Sequence, residues 1–296
     1  MTMPTKPGLS PYVQMVIATM LFACMGMCVK LASQHFGTAA VVSARGLVGA
    51  VMMAAIAYAS GTGLHTKVPM MHVKRGLAGV LALTLWFYCI GHLPLATAVT
   101  LNYMSSVWMA AYLLVRAGLF GEGRIDKRLI IAIAVGFAGV GLVLHPTIAK
   151  DQIAAGLIGV VSGMLAAMAY VQVTALGRVG ETEVRVVFYF SLMGTLLGAL
   201  TWLIPGQTNP TAWREIPAWA WAALIGVGAF ATLAQLLMTR AYAQGRMLVN
   251  ASLQYLGIVH ASLFGMLLFG EKLALDGLLG MALIAGAGLW ATRLRA

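Results

Sequence analysis

Charge is what this sequence has least of. Only 9% of its residues are Asp, Glu, Lys or Arg, against about 25% in ordinary soluble domains, while 61% are hydrophobic and the mean hydropathy is +0.90. A soluble chain of 296 residues could form one or two domains, but it would lack the polar surface to cover so much apolar mass. The composition is that of a membrane protein, and buried helices of a large soluble protein are excluded for want of a polar coat. Cysteine is scarce too: Cys24, Cys28 and Cys89 all lie in apolar runs, where they read as small hydrophobes, not as a disulfide framework or a thiolate metal site. His35, His65, His72, His92, His145 and His260 are scattered without metal-ligand spacing, and no cofactor is implied. The glycines from Gly136 to Gly141 lack the lysine and hydroxyl of a phosphate-binding loop. Hydrolysis inside the membrane would need a nucleophile with a base, or a metal motif, and neither is present. The net charge of +11 could suggest nucleic acid, but the basic residues form no stripe and no recognisable nucleic-acid motif.

What the chain does have is length in apolar runs. They can be placed at about 12–34, 38–59, 73–91, 95–115, 127–145, 153–177, 184–204, 217–239, 247–269 and 276–292, ten in all. A hydrocarbon core of about 30 Å needs about 20 residues of helix, and most of the runs supply them. The first starts near Tyr12 after a short tail with one lysine, so a spanning helix is expected there and not a cleavable signal peptide.

Sidedness follows from the basic residues. With a cytoplasmic N-terminus, one face receives fourteen of the 19 Lys and Arg, among them Lys67, Lys74, Arg75, Arg178, Arg185 and Arg240. The other face receives Lys150, Arg214 and Lys272, and Lys30 and Arg45 lie inside spans. That bias places both termini in the cytoplasm. Trp202, Trp213, Trp219 and Trp221 cluster about the seventh-to-eighth connection, which would then be an outer interface.

An internal repeat divides the ten spans. Leu119-Phe120-Gly121-Glu122 recurs as Leu268-Phe269-Gly270-Glu271, an offset of 149 residues, and glycines follow both copies at Gly139 and Gly141 and at Gly286 and Gly288. Thr19 to Ala23 resembles Gly163 to Ala167 at an offset of 144. Five spans per copy is an odd number, so the second copy must insert upside down. The expected fold is all-α and integral to the membrane, with ten transmembrane helices in two inverted five-helix repeats, residues 1–150 and 151–296.

Polar groups inside the spans are the candidates for function. Lys30 can snorkel to the interface, but Arg45 lies deeper, and no Asp or Glu lies in any span to pair with it. It faces either a central cavity or a structural or interfacial partner. Asn102, Ser105 or Ser106, and Met109 share one face of the fourth span, and Asn250 and Gln254 share one face of the ninth. Such faces signal interhelical hydrogen bonds or a watery cavity. Trp86, Tyr88 and Tyr103 add aromatic surface. Gln235, in the eighth span, must find a partner, and His260 reads as a hydrogen-bonded structural residue. The glycines of spans five and ten suit close helix contact, as scaffold or as a dimer interface.

On these signs, the two Leu-Phe-Gly-Glu ends and the glycine-rich spans after them, the chain resembles the drug/metabolite transporter superfamily in its ten-helix, two-repeat form. It is most similar to bacterial inner-membrane exporters of amino acids, aromatic ones included. The resemblance implies a basket-like carrier with its cavity among helices three, four, eight and nine. It implies a small-molecule substrate, an amino acid in that family's pattern, bilayer lipids as neighbours, no nucleic acid, and a monomer or weak homodimer. The missing intramembrane acid departs from the usual picture of a proton-driven carrier. The residues themselves then suggest Asn102, Ser106, Asn250 and Gln254 as replacements for a substrate's hydration. Trp86, Tyr88, Tyr103 and Met109 would contact its side chain, and Arg45 an anionic group. Uptake or exchange of a nucleotide-like or methyl-donor metabolite is the competing transport reading; a membrane-embedded enzyme and a non-transporting scaffold are the readings from other classes.

Overall fold

A computed structural model of the chain describes residues 9–109, 112, 115, 127–144, 153–201, 212–270 and 275–293. Glu122, Glu271 and Trp202 lie outside these. Each of the ten expected spans is mainly helical where it is described, and no strand occurs among the described residues. The helices are α1 (Pro11–Ala32), α2 (Thr38–Ser60), α3 (Pro69–His92), α4 (Leu95–Tyr103), α5 (Lys127–Leu144), α6 (Ile153–Arg178), α7 (Glu183–Thr201), α8 (Ala218–Gln244), α9 (Met247–Leu253), α10 (Leu256–Phe269) and α11 (Leu275–Arg293).

Local chemistry sets several of the ends. Ser10 caps α1 by accepting from the Val13 amide at 3.3 Å, with Pro11 in the first turn. Gly61 and Gly270 stop α2 and α10 in the left-handed region, at φ of 66° and 63°, where a side chain would be strained.

Spans four and nine are each broken in the middle. Helix α4 ends at Met104 and helix resumes at Ser105, while α9 and α10 are separated by Gln254 and Tyr255. Under the 149-residue offset these breaks coincide to within a residue. At the second, the Tyr255 amide turns to Ser252 O at 3.2 Å, which frees the carbonyl of Ala251 that it would meet in a regular helix. Ser106 supplies the missing donor across the bundle, at 2.8 Å. Interrupted helices of this kind are tolerated in a membrane only where protein or a cavity re-satisfies the backbone.

The closest helix pairs are α1 with α8, α3 with α6, α2 with α7, and α5 with α11. A two-fold that exchanges the halves turns the first pair into the second and the last two into themselves, which is the pairing an inverted repeat requires. Glycines permit the approach. A Cβ on Gly46 would lie 2.7 Å from the Ser191 carbonyl oxygen and would also strike the Thr195 amide, and one on Gly139 would lie 2.7 Å from the Gly280 oxygen. The glycines of α5 and α11 therefore serve contact within the chain at Gly139, whereas Gly141 and Gly286 meet nothing within 4 Å. Gly46→Leu should force α2 from α7 and lower the melting temperature in detergent by roughly 5 °C, since overpacking costs about 1–3 kcal/mol. Gly141→Ala should leave it unchanged, and equal melting of the two variants would contradict this packing.

The outer surface carries Leu47, Val51, Leu157, Ile225 and Leu267, each more than half exposed. So many exposed apolar side chains suit lipid, not water.

Candidate substrate site

Arg75 is the residue around which the interior is arranged. The sequence alone groups it with Lys74 among the basic residues at a span end. Helix α3 starts a turn earlier, at Pro69, so both residues are helical and a rotation of about 100° separates their side chains. Lys74 is exposed and Arg75 is 2% exposed. Its guanidinium lies forward along α3 over Gly79, where any Cβ would collide with Nη1. From there it covers the Phe190 ring of α7, with Cζ 4.1 Å from the centroid, and its Nη2 donates to Gln235 Oε1 of α8 at a long 3.4 Å. This is the partner that Gln235 needed.

Arg45 reaches the same ring from α2, with Cζ 4.8 Å from the centroid, and is also 2% exposed. Arg45 Nε and Arg75 Nε and Nη1 have no hydrogen-bond partner. Cation–π contact is worth about 0.5–2 kcal/mol, whereas desolvating an ion costs several. The ring therefore offsets only part of the cost, and two like charges share one aromatic group.

Beside these cations lies a narrow cavity of about 40 Å³, lined by Arg75, Ala82, Trp86, Asn102, Tyr103, Tyr170, Phe190 and Gln235 among others. Trp86 is fixed as a wall by donating Nε1–H to the Ala98 carbonyl at 3.1 Å. Asn102 donates to Ser162 Oγ at 3.0 Å and Ser162 to the Ala82 carbonyl at 2.8 Å, leaving the amide oxygen as the remaining polar atom of Asn102. Tyr103 packs on Gly257 beside the second helix break; a Cβ there would sit 2.5 Å from its hydroxyl.

Of the residues expected from the sequence, Trp86, Asn102 and Tyr103 thus line the cavity, and Arg45 borders it through Phe190. Gln254 is buried next to Tyr170, with its Oε1 unpartnered and its Nε2 3.8 Å from Met238 Sδ. The others stand elsewhere. Ser106 spends its hydroxyl on Ala251, Asn250 donates to the Ala241 carbonyl at 2.6 Å, and Met109 is fully buried in the core. Tyr88 faces outward and stacks on His92, ring centroids 4.1 Å apart. Sequence reasoning missed Arg75, Tyr170 and Phe190 as a group. Its available signal was the i, i+4 pairing of Arg75 with a glycine, which the neighbouring Lys74 concealed.

The two ends of the bundle are joined by symmetry-equivalent elements of opposite chemistry. At one end, Glu181 in the α6–α7 connection accepts from Thr66 Oγ1 at 3.0 Å, bonds His72 Nε2 at 3.2 Å and pairs with Arg185 Nη1 at 3.2 Å. Arg185 also donates to the Gly63 carbonyl and Tyr189 to that of Leu64. Burial pushes the Glu181 carboxyl up, but the hydrogen bonds from Thr66 and His72 and the Arg185 charge outweigh it and hold it below its ordinary value of 4.5. At the other end Phe36, Trp213 and Trp221 form an aromatic cluster, with Trp213 and Trp221 stacked at 5.8 Å.

No family model matches the chain. It is 30% identical over 261 residues to the pseudopaline exporter CntI of Pseudomonas aeruginosa, covering 86% of each chain. A riboflavin transporter of Brucella anthropi is 24% identical over 282 residues, covering 94% of this chain and 97% of that one. A protein of known crystal structure superposes with a TM-score of 0.76 over 97% of this chain and 99% of its own; at 16% identity that likeness concerns the fold alone. With its apolar spans and paired halves, the chain belongs to the drug/metabolite-transporter-like exporters and is a multi-pass bacterial inner-membrane secondary transporter of a small metabolite.

Proposed function

We propose that the protein exports amino acids or close relatives of them, aromatic ones included, with residues 1–150 and 151–296 rocking as inverted halves about the cavity. The observation that carries this reading is Arg75, a buried guanidinium with two unpartnered nitrogens at the wall of a cavity that also holds Trp86 and Tyr103. A guanidinium is the natural receptor for a carboxylate, Asn102 and Gln235 can replace lost hydration, and the aromatic walls suit an apolar side chain. In this reading the end bearing Glu181 is cytoplasmic, as the distribution of Lys and Arg suggests, and the Glu181 and tryptophan clusters are the two closures. Neither proton coupling nor oligomeric state enters it.

The test is counterflow in proteoliposomes loaded with individual unlabelled amino acids. Several should drive accumulation of a labelled one, and Trp86→Ala should weaken the aromatic substrates about 10-fold more than alanine, since an aromatic contact is worth about 0.5–1.5 kcal/mol beyond its buried area. If no amino acid exchanges, the proposal fails. The same cations and aromatic walls would also suit a nucleotide-like anion taken up or exchanged, and exchange of nucleotides in place of amino acids in this assay would favour that second reading.

A further inference from the structure

Two guanidinium groups meet at Phe190, and the amino-acid reading employs only one of them. Arg75 arrives from the end of the bundle that carries Glu181, Arg45 from the end that carries Phe36, and they converge on one ring, with Cζ at 4.1 Å and 4.8 Å from its centroid. The only acidic residue of the sequence within an apolar run is Asp276, at the very start of the last one. Of the carboxylates described, Glu181 is committed to Thr66, His72 and Arg185, and Glu183 to Arg240, while Glu215 lies in the turn before α8 and Asp276 in the first turn of α11. Among the described residues, the only polar side chain hydrogen-bonded to either guanidinium is Gln235, which is neutral. Among the described residues the interior thus holds two cations that no carboxylate neutralises, on the border of a cavity lined from both halves.

We infer that this site takes substrates bearing two anionic groups, a dicarboxylate of amino-acid size, with one carboxylate on Arg75 and the second on Arg45 across the edge of Phe190. The inference rests on the reading of the cavity as an amino-acid site and narrows it. A monocarboxylic amino acid would neutralise one guanidinium and leave its own ammonium beside the other, in a site with no acid to receive it. A second carboxylate removes that conflict and leaves the ligand and the two arginines close to neutral together. Fork-like bonding by two arginines also fixes the spacing of the carboxylates, which a single cation cannot do. The tyrosine of α6, Tyr170, stands near both arginines and offers a hydroxyl to the ligand between them.

Glutamate and glutamine differ only in the charge of the second group and make the decisive pair. Binding to the purified full-length protein would be measured by calorimetry for glutamate, glutamine, alanine and glutarate. Glutamate should bind at least about 10-fold more tightly than glutamine, as expected for one buried charge-assisted pair. Arg45→Gln should abolish that preference while glutamine binding persists, and Arg45→Lys should retain part of it; persistence of glutamine binding shows that the variant is folded. Equal binding of glutamate and glutamine would overturn the dicarboxylate inference and leave the amino-acid reading intact. Binding of glutarate with no amino acid bound would sustain the inference and overturn that reading. An unchanged preference in Arg45→Gln, or no binding of any of the four, would overturn the inference.

Discussion

Replacing Arg75 by Gln should lower transport on the order of 100-fold while the amount of protein in the membrane stays constant. Truncating one partner of a desolvated charge pair costs about 2–5 kcal/mol, and Arg75 is the charged group of the cavity wall, with Nε and Nη1 free of protein partners. The substitution should not unfold the chain. A buried charge without a counterion is a cost to the fold, and Gln removes it while keeping a polar group near Gln235. Melting temperature without substrate should therefore hold or rise as transport collapses. Arg75→Lys should recover only part of the activity, because a compact ammonium cannot lie flat on the Phe190 ring and offer a fork to a carboxylate. Initial rates in proteoliposomes, normalised to protein and paired with melting curves, check this. Loss of stability in parallel with activity would assign Arg75 a structural role instead.

Glu181→Gln should have the second-largest effect. One carboxylate holds Thr66, His72 and Arg185, and so ties the segment before α3 to the start of α7. A hydrogen bond to a charged group is worth about 1.5–3 kcal/mol, so amide hydrogen exchange in the 61–68 segment should accelerate about 10- to 100-fold, and the aromatic cluster at the other end should be unaffected. The pH dependence has a definite sign. The folded protein holds Glu181 below its ordinary value of 4.5, so the contribution of this carboxylate is complete above that value. It is lost as pH falls through the lower, folded one. Between pH 8 and pH 5 the Glu181 contribution should stay constant. Unchanged exchange in Glu181→Gln would show that the two connections are held by Arg185 and Tyr189 through the backbone alone.

The helices were legible because a bilayer leaves little freedom. Apolar runs of about 20 residues have one outcome, and α1, α2, α6 and α8 fall within a few residues of where the runs place them. The mid-span breaks at Met104 and at Gln254 were not visible, since neither contains proline or glycine. They depend on a tertiary hydrogen bond, that of Ser106 to Ala251, which no local pattern encodes. Trp86, Asn102 and Tyr103 were recognisable from their presence on an apolar helix. Arg75 was not, because a basic residue at the mouth of a span carries the same sequence signal whether it points to the headgroups or into the protein. Only the earlier start of α3 and the room that Gly79 leaves for the guanidinium by lacking a Cβ decide between them. Tyr88 shows the reverse: it is as aromatic as its neighbours, but its place on the helix turns it to the outside.

The central claim is that the space bounded by Arg75, Trp86 and Tyr170 is a passage reached in turn from both sides of the membrane. Ala169 lines it and is 2% exposed. In a chain with Cys24, Cys28 and Cys89 replaced by alanine, Ala169→Cys should react with a membrane-impermeant maleimide applied to right-side-out vesicles and, separately, to inside-out vesicles. Reaction from both faces is the predicted result; reaction from neither face, or from one face alone, would contradict the account.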